Sequence, residues 1–186
     1  MNKEHLKYCS SDEWAEAVQR WIIPGALDGV ELGDDVLEVG PGPGRTTDIL
    51  RHMTARLTAV EIDPDLAVAL RVRLAGTNVE VVEGDATALP FPDNRYTSAL
   101  SFTMLHHVPS PEEQDRLFAQ VARVLRPGGT FAGVDSKDSP EFRGMHVDDI
   151  CVPLDPERLP ERLKQAGFSE VNVDVNPYVI QFRAKV

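Results

Sequence analysis

Val36-Leu37-Glu38-Val39-Gly40-Pro41-Gly42-Pro43-Gly44-Arg45-Thr46-Thr47 reads as a buried strand, a glycine-rich turn and a helix start in immediate succession. A strand that passes through a tight turn into a helix opens an α/β unit, and the mouth of that turn is where such folds hold nucleotides. Gly40 suits the positive φ of a sharp strand exit, Gly42 leaves bare backbone for a ligand to approach, and Gly44 permits close packing as the helix begins. Thr46, Thr47 and Asp48 fall in the first helical turn, where free N–H groups and the helix dipole attract an anion. A dinucleotide fingerprint, G-x-G-x-x-G, wants a small residue where this chain has Arg45. The loop therefore favours a nucleoside without phosphates over a pyrophosphate.

Working outward, strands are expected near 35–39, 57–61, 79–83, 96–102 and 130–135, with helices at 45–53, 64–75 and 111–125. Such alternation predicts a mostly parallel, doubly wound sheet covered on both faces. A last helix near 156–166 ends at Gly167, and two β-rich runs divided by Asn176-Pro177 predict a closing antiparallel hairpin. Upstream, Trp14, Val18, Trp21 and Ile22 recur at helical spacing, which predicts an amphipathic helix over 12–23, capped by Ser11 and closed by Pro24 and Gly25. Its tryptophans read as anchors to the core; the helix would serve equally as a cap or as a homodimer interface. Residues 136–155, rich in Asp, Pro and Gly, are long for a connection and read either as a lid or as a plain crossover. The expected organisation is an N-terminal helical cap over 1–34 and one domain over 35–186.

The 186 residues, 42% of them hydrophobic, suit one soluble domain with a sizeable core. A net charge of -11 and the lack of a basic stripe argue against a nucleic-acid partner, because phosphate contacts need Lys and Arg. No apolar run approaches the ~20 residues that cross a bilayer, so no membrane role is expected. Cys9 and Cys151, without metal-ligand spacing or a secretory leader, read as reduced thiols of a cytoplasmic protein.

Several residues collect at the carboxyl edge of the expected sheet. Glu61 ends the second strand about 20 residues beyond the first glycine, where an α/β nucleotide site places an acid for the ribose hydroxyls. Asp63 competes for that role, yet Asp63-Pro64 resembles the cap and first residue of a helix. Asp85 follows the third strand and could take an adenine amino group, although by itself a carboxylate beside Gly in a turn reads first as a loop acid. The fourth strand runs into Ser101-Phe102-Thr103-Met104-Leu105-His106-His107-Val108, bringing two imidazoles that suit a general base. Adjacent histidines point apart, and no nearby Cys or acid completes a ligand set, so no metal is expected.

Taken together, Leu37-Glu38-Val39-Gly40-Pro41-Gly42-Pro43-Gly44, Glu61, Gly84-Asp85-Ala86, Leu105-His106-His107-Val108 and Leu125-Arg126-Pro127-Gly128-Gly129 resemble the class I S-adenosylmethionine-dependent methyltransferases of the type 11 group, over about residues 35–135. The resemblance implies a Rossmann-like seven-stranded sheet of order 3-2-1-4-5-7-6 with the last strand antiparallel, and S-adenosyl-L-methionine as cofactor. It implies that Glu38, Gly40, Gly42 and Gly44 form the loop for the methionine portion, that Glu61 takes the ribose, and that Ile62, Asp85 and Ala86 contact adenine. Ser101 and Phe102 would lie beneath the sulfonium, and Arg126 to Gly129 would form a structural turn. The acceptor is expected to be a small molecule, with His107 and His146 as candidate bases. A nicotinamide-dependent oxidoreductase would share Glu61 but not Arg45 or Gly84-Asp85-Ala86; a non-catalytic module that binds S-adenosylmethionine and regulates a partner is the other alternative.

Overall fold

The computed structural model describes residues 1–186. Five strands form the parallel part of its sheet: β1 (Asp35–Val39), β2 (Arg56–Glu61), β3 (Val79–Glu83), β4 (Tyr96–Phe102) and β5 (Leu125–Ser136). A hairpin, β6 (Glu170–Val175) and β7 (Val179–Lys185), completes it, β7 running antiparallel to β5. The order is β3-β2-β1-β4-β5-β7-β6, as the resemblance implied.

β1, held between β2 and β4, is buried along all five of its residues, and its alternating side chains serve two cores. Leu37 and Val39 point with Ala99 and Phe131 toward α6 (Pro111–Val124) and α8 (Leu159–Gln165), where they meet Leu117, Phe118, Val121 and Leu163. Val36 points the other way, with Leu100 and Ala132, onto Val18, Ile23 and Leu27 of the N-terminal helices. Each such Val, Leu, Ile or Phe side chain stabilises the fold by about 1.5–3 kcal/mol relative to exposure. A smaller cluster seats α5 (Pro64–Arg73) on β3 through Ala67, Leu70 and Val81. α6 starts as its sequence directs: the Ser110 hydroxyl accepts from the Glu113 N–H at 3.2 Å, a cap just before Pro111. Within β5, Leu125 pairs with Tyr96 but Thr130 with Ser98, so Arg126 to Gly129 form a turn inside the strand.

The N-terminal region departs from expectation. The helix does not stop at Pro24: α2 (Asp12–Ala17) passes through a π-helical turn over Val18–Ile22 into α3 (Ile23–Leu27), with Pro24 at its start. Proline lacks an N–H and collides with the carbonyl four residues back in an ordinary helix; here it falls in the first turn of α3, directly after the wider π turn. A further helix, α1 (Lys3–Cys9), precedes α2, and Asn2 caps it by accepting from the His5 N–H at 2.9 Å. Trp14 packs partly buried against Tyr8, whereas Trp21 is 73% exposed and anchors nothing. The helix after β1, α4 (Thr47–Leu50), is shorter than expected, and residues 136–155 contain a helix, α7 (Pro140–Met145). Cys9 and Cys151 are free thiols, and no helix is long and apolar enough to cross a membrane.

Candidate functional site

At the carboxyl ends of β1, β2 and β4 lies a cavity of about 380 Å³, within the range that small ligands occupy. Gly40 and Gly42 form one wall, Glu61 and Ile62 a second, Gly84 to Thr87 a third, and Thr103, Met104 and His107 a fourth. Gly40 has φ +66°, and a Cβ there would stand 2.1 Å from Met104 Cγ. Only glycine satisfies both the backbone and the close approach of β4's exit.

Two buried acids hold the loop and the cavity floor. Glu38 does not face the cavity: it is 1% exposed and accepts hydrogen bonds from the hydroxyls of Thr46 and, at 2.6 Å, Thr47. It thus ties the strand to the first residues after the glycine loop. Burial pushes its carboxyl up to about 7, against the two threonine hydrogen bonds, which favour the ionised form. Glu61, 5% exposed, lines the cavity and accepts from the backbone N–H of Gly42 at 2.8 Å and of Asp63 at 3.0 Å. Burial raises its carboxyl above the ordinary range, and those backbone donors restrain the rise. Asp63 itself caps α5, accepting from the N–H of Asp65 and Leu66. Asp85 accepts from the Thr87 N–H at 2.8 Å, which fixes the turn that brings Ala86 to the cavity.

Of the loop residues, Gly44 stands apart from the cavity, packed toward Leu70 and Arg73 of α5. Arg45, which breaks the dinucleotide pattern, turns to the Ser10 carbonyl and to Asp12, tying the loop to the N-terminal helices. Ser101 and Phe102 do not line the cavity: Ser101 is fully buried with its hydroxyl unpartnered, and Phe102 packs under the N-terminal helices. The chain leaves β4 through Thr103 at φ +49°, so Thr103 and Met104 take the place expected of them. Sequence carries no marker of that unusual φ. Met1 also lines the cavity, another contact that its position in the chain does not announce.

The histidines gather where the sequence did not suggest. His106 is 1% exposed, its Nδ1 2.5 Å from Asp135 Oδ1 and its N–H donating to Asp135 Oδ2 at 3.3 Å. His146 is buried rather than solvated, with Nδ1 2.7 Å from the Phe142 carbonyl. His5 of α1 packs edge-on to His146 at 4.5 Å and lies 5.2 Å from His107, centroid to centroid. Burial, reinforced by neighbouring imidazoles, lowers His107 to about 3 and His5 to about 4, and lowers His146 as well. Residues near His106 and His107 in sequence complete no ligand set, but the fold brings His5, His107 and His146 together with one ring nitrogen each, all within 4.8 Å. Of the three, His107 lines the cavity.

A family model described as a methyltransferase domain matches residues 37–133. A fatty-acid O-methyltransferase of Mycolicibacterium smegmatis is 36% identical over 71% of this chain and 48% of its own length. A protein of Methanothermobacter thermautotrophicus described as a probable ribosomal RNA small subunit methyltransferase A is 36% identical over 81% of this chain and 72% of its own. The chain spans only a third to about half of the first curated relatives it matches. Among solved structures, an S-adenosylmethionine-dependent methyltransferase from Aquifex aeolicus superposes with a TM-score of 0.75 at 19% identity, over 100% of this chain and 98% of that one.

Proposed function

Because the chain belongs to the class I S-adenosylmethionine-dependent methyltransferases, we propose that it methylates a small-molecule acceptor held over the carboxyl end of its sheet. Glu61 carries the reading. Its carboxylate is buried, aimed by two backbone donors and set in the cavity wall, which is the arrangement that vicinal ribose hydroxyls require.

The residues present fit S-adenosyl-L-methionine. Gly40 and Gly42 offer backbone without Cβ atoms to the methionine end, Glu61 would take the ribose, and Ile62, Asp85 and Ala86 would border adenine. When bound, this cofactor supplies a methyl group on a sulfonium whose leaving thioether is neutral. The chain's own task is to align the acceptor and exclude water, and orientation of that kind is worth up to roughly 7–11 kcal/mol. Met104, Val108 and Leu117 provide an apolar wall for it. His107 and His146 are assigned to the acceptor side. Burial lowers the pKa of both imidazoles, which weakens them as bases and leaves orientation of the acceptor as the role the geometry favours.

Residues 1–34 and 136–155 are assigned as a cap and a lid. Asn2 joins them, its N–H donating to Asp149 at 2.6 Å and its side-chain amide to the carbonyls of Met145 and Val147. A net charge of -11 favours a neutral or cationic small acceptor over RNA. The ribosomal RNA relative supports the second reading, an RNA acceptor.

Calorimetry with S-adenosylmethionine, S-adenosylhomocysteine and NADH, with Glu61→Ala as control, tests the cofactor assignment. Micromolar binding of both sulfur ligands, lost in the variant, supports it; uptake of NADH alone refutes it. Transfer of labelled methyl to a fatty-acid and quinol panel but not to ribosomal RNA supports the small acceptor, and the reverse pattern replaces it.

A further inference from the structure

Of the chain's five histidines only His52 lies outside one buried cluster behind the cavity wall. We propose that His5, His107 and His146 bind a divalent transition-metal ion of zinc's borderline softness, leaving one coordination position open beside the cavity.

Three observations converge on this. First, each ring presents one nitrogen within 4.8 Å of the other two. Tetrahedral coordination at zinc–nitrogen distances of about 2.0–2.1 Å sets nitrogens about 3.4 Å apart, so small side-chain rotations close the set. Second, His5 Nδ1, both nitrogens of His107 and His146 Nε2 are buried with no hydrogen-bond partner. Unpartnered buried polar atoms are exceptions in folded proteins, and here they occur on all three rings of the cluster. Packing of the rings as aromatic bodies gives these atoms no polar partner, whereas an ion would take one lone pair from each of the three rings. Third, His146 is set up as a ligand: its Nδ1 lies 2.7 Å from the Phe142 carbonyl, which places the ring proton there and the lone pair on Nε2. His106, held at Nδ1 by Asp135, packs against His107 and His146 from behind.

The donor set selects the metal class. Three neutral imidazoles without carboxylate or thiolate suit zinc, cobalt, nickel or copper rather than magnesium or calcium. Three protein ligands leave a fourth position for water or for an acceptor oxygen, nitrogen or sulfur. His107 lines the cavity, so the ion would sit where the acceptor approaches. This site stands whether or not methyl transfer is the activity, since it rests on the placing of three imidazoles and not on the residues assigned to the cofactor.

The test uses the full chain stripped with a chelator and titrated with Co²⁺ in the absence of any methyl donor. The expected result is a visible ligand-field spectrum of tetrahedral strength that saturates at one equivalent and is abolished by one equivalent of Zn²⁺. His5→Ala and His146→Ala should each weaken binding at least about tenfold, since loss of a mere outer partner of a ligand already costs roughly 10–100-fold, while His52→Ala leaves it unchanged. No saturable spectrum, or a spectrum that survives in both variants, overturns the site. Imidazole nitrogen NMR of the unaltered chain provides a check independent of variant folding. Addition of Zn²⁺ should shift the ligating nitrogens of His5, His107 and His146 and leave His52 in place; shifts confined to His52, or none, overturn the proposal equally.

Discussion

Replacing Glu38 by Gln should change how the stability of this protein depends on pH. Glu38 is 1% exposed on an interior strand, and burial holds its carboxyl at about 7 against an ordinary 4.5. The native state therefore binds this proton more tightly than the unfolded chain does. The resulting stability is fully present below the unfolded value and is lost as pH rises through the native one. The interval is about 2.5 pH units, and at about 1.36 kcal/mol per unit the loss between pH 4.5 and 8 is about 3 kcal/mol. Gln keeps the shape and a polar partner for Thr46 and Thr47 but carries no proton that titrates. Urea unfolding of the wild type and Glu38→Gln across pH 4.5–8 measures the difference directly. The wild type should lose about 3 kcal/mol relative to the variant over that interval. Curves that run parallel would show that the buried carboxyl is already ionised in the native state, with the threonine hydroxyls outweighing the cost of burial.

Other perturbations follow from the same geometry. Glu61→Ala should weaken S-adenosylmethionine binding by at least about 1.5 kcal/mol, roughly tenfold, because one charge-assisted hydrogen bond is worth about 1.5–3 kcal/mol; calorimetric Kd values within twofold of each other would contradict this. Gly40→Ala, which places a Cβ against Met104 at φ +66°, should cost about 1–2 kcal/mol from the backbone alone, read as a lower urea midpoint at unchanged slope. Ser101→Ala removes a buried hydroxyl that has no partner, so stability should hold or rise by up to about 1 kcal/mol; a loss above that would reveal a partner for the hydroxyl.

The sheet was legible because its determinants are local. Five consecutive apolar or paired residues at 35–39, turns at regular intervals and a helix after nearly every strand leave one topology, and Asn176-Pro177 marks the hairpin. Glu61 was legible for the same reason: its distance from Gly40 along the chain is set by one strand-helix-strand unit. The helix through Pro24 was not, since propensity penalises proline without knowing that a π turn precedes it. Nor was the displacement of Ser101 and Phe102 by Thr103 and Met104, which depends on one backbone angle. The histidine cluster lay further out of reach. His5 and His146 meet only after α1 docks on α7 and the following turn, and no periodicity links positions so distant.

The position of β7 bears on how the chain acquires its shape. β7 lies between β5 and β6, although it follows both in sequence. Until residues 179–185 arrive, β5 has a row of bare backbone donors and acceptors along one side, and β6 has nothing to pair with. Any state in which the parallel half had formed without β7 would carry an open margin at Phe131 and Val134, a template for another chain. Once β7 inserts, the sheet's outer margins are β3 and β6, studded with Glu80, Glu83, Glu170 and Asp174. Their mutual repulsion resists strand addition, so the finished molecule is guarded against the self-association to which its half-built form is most vulnerable.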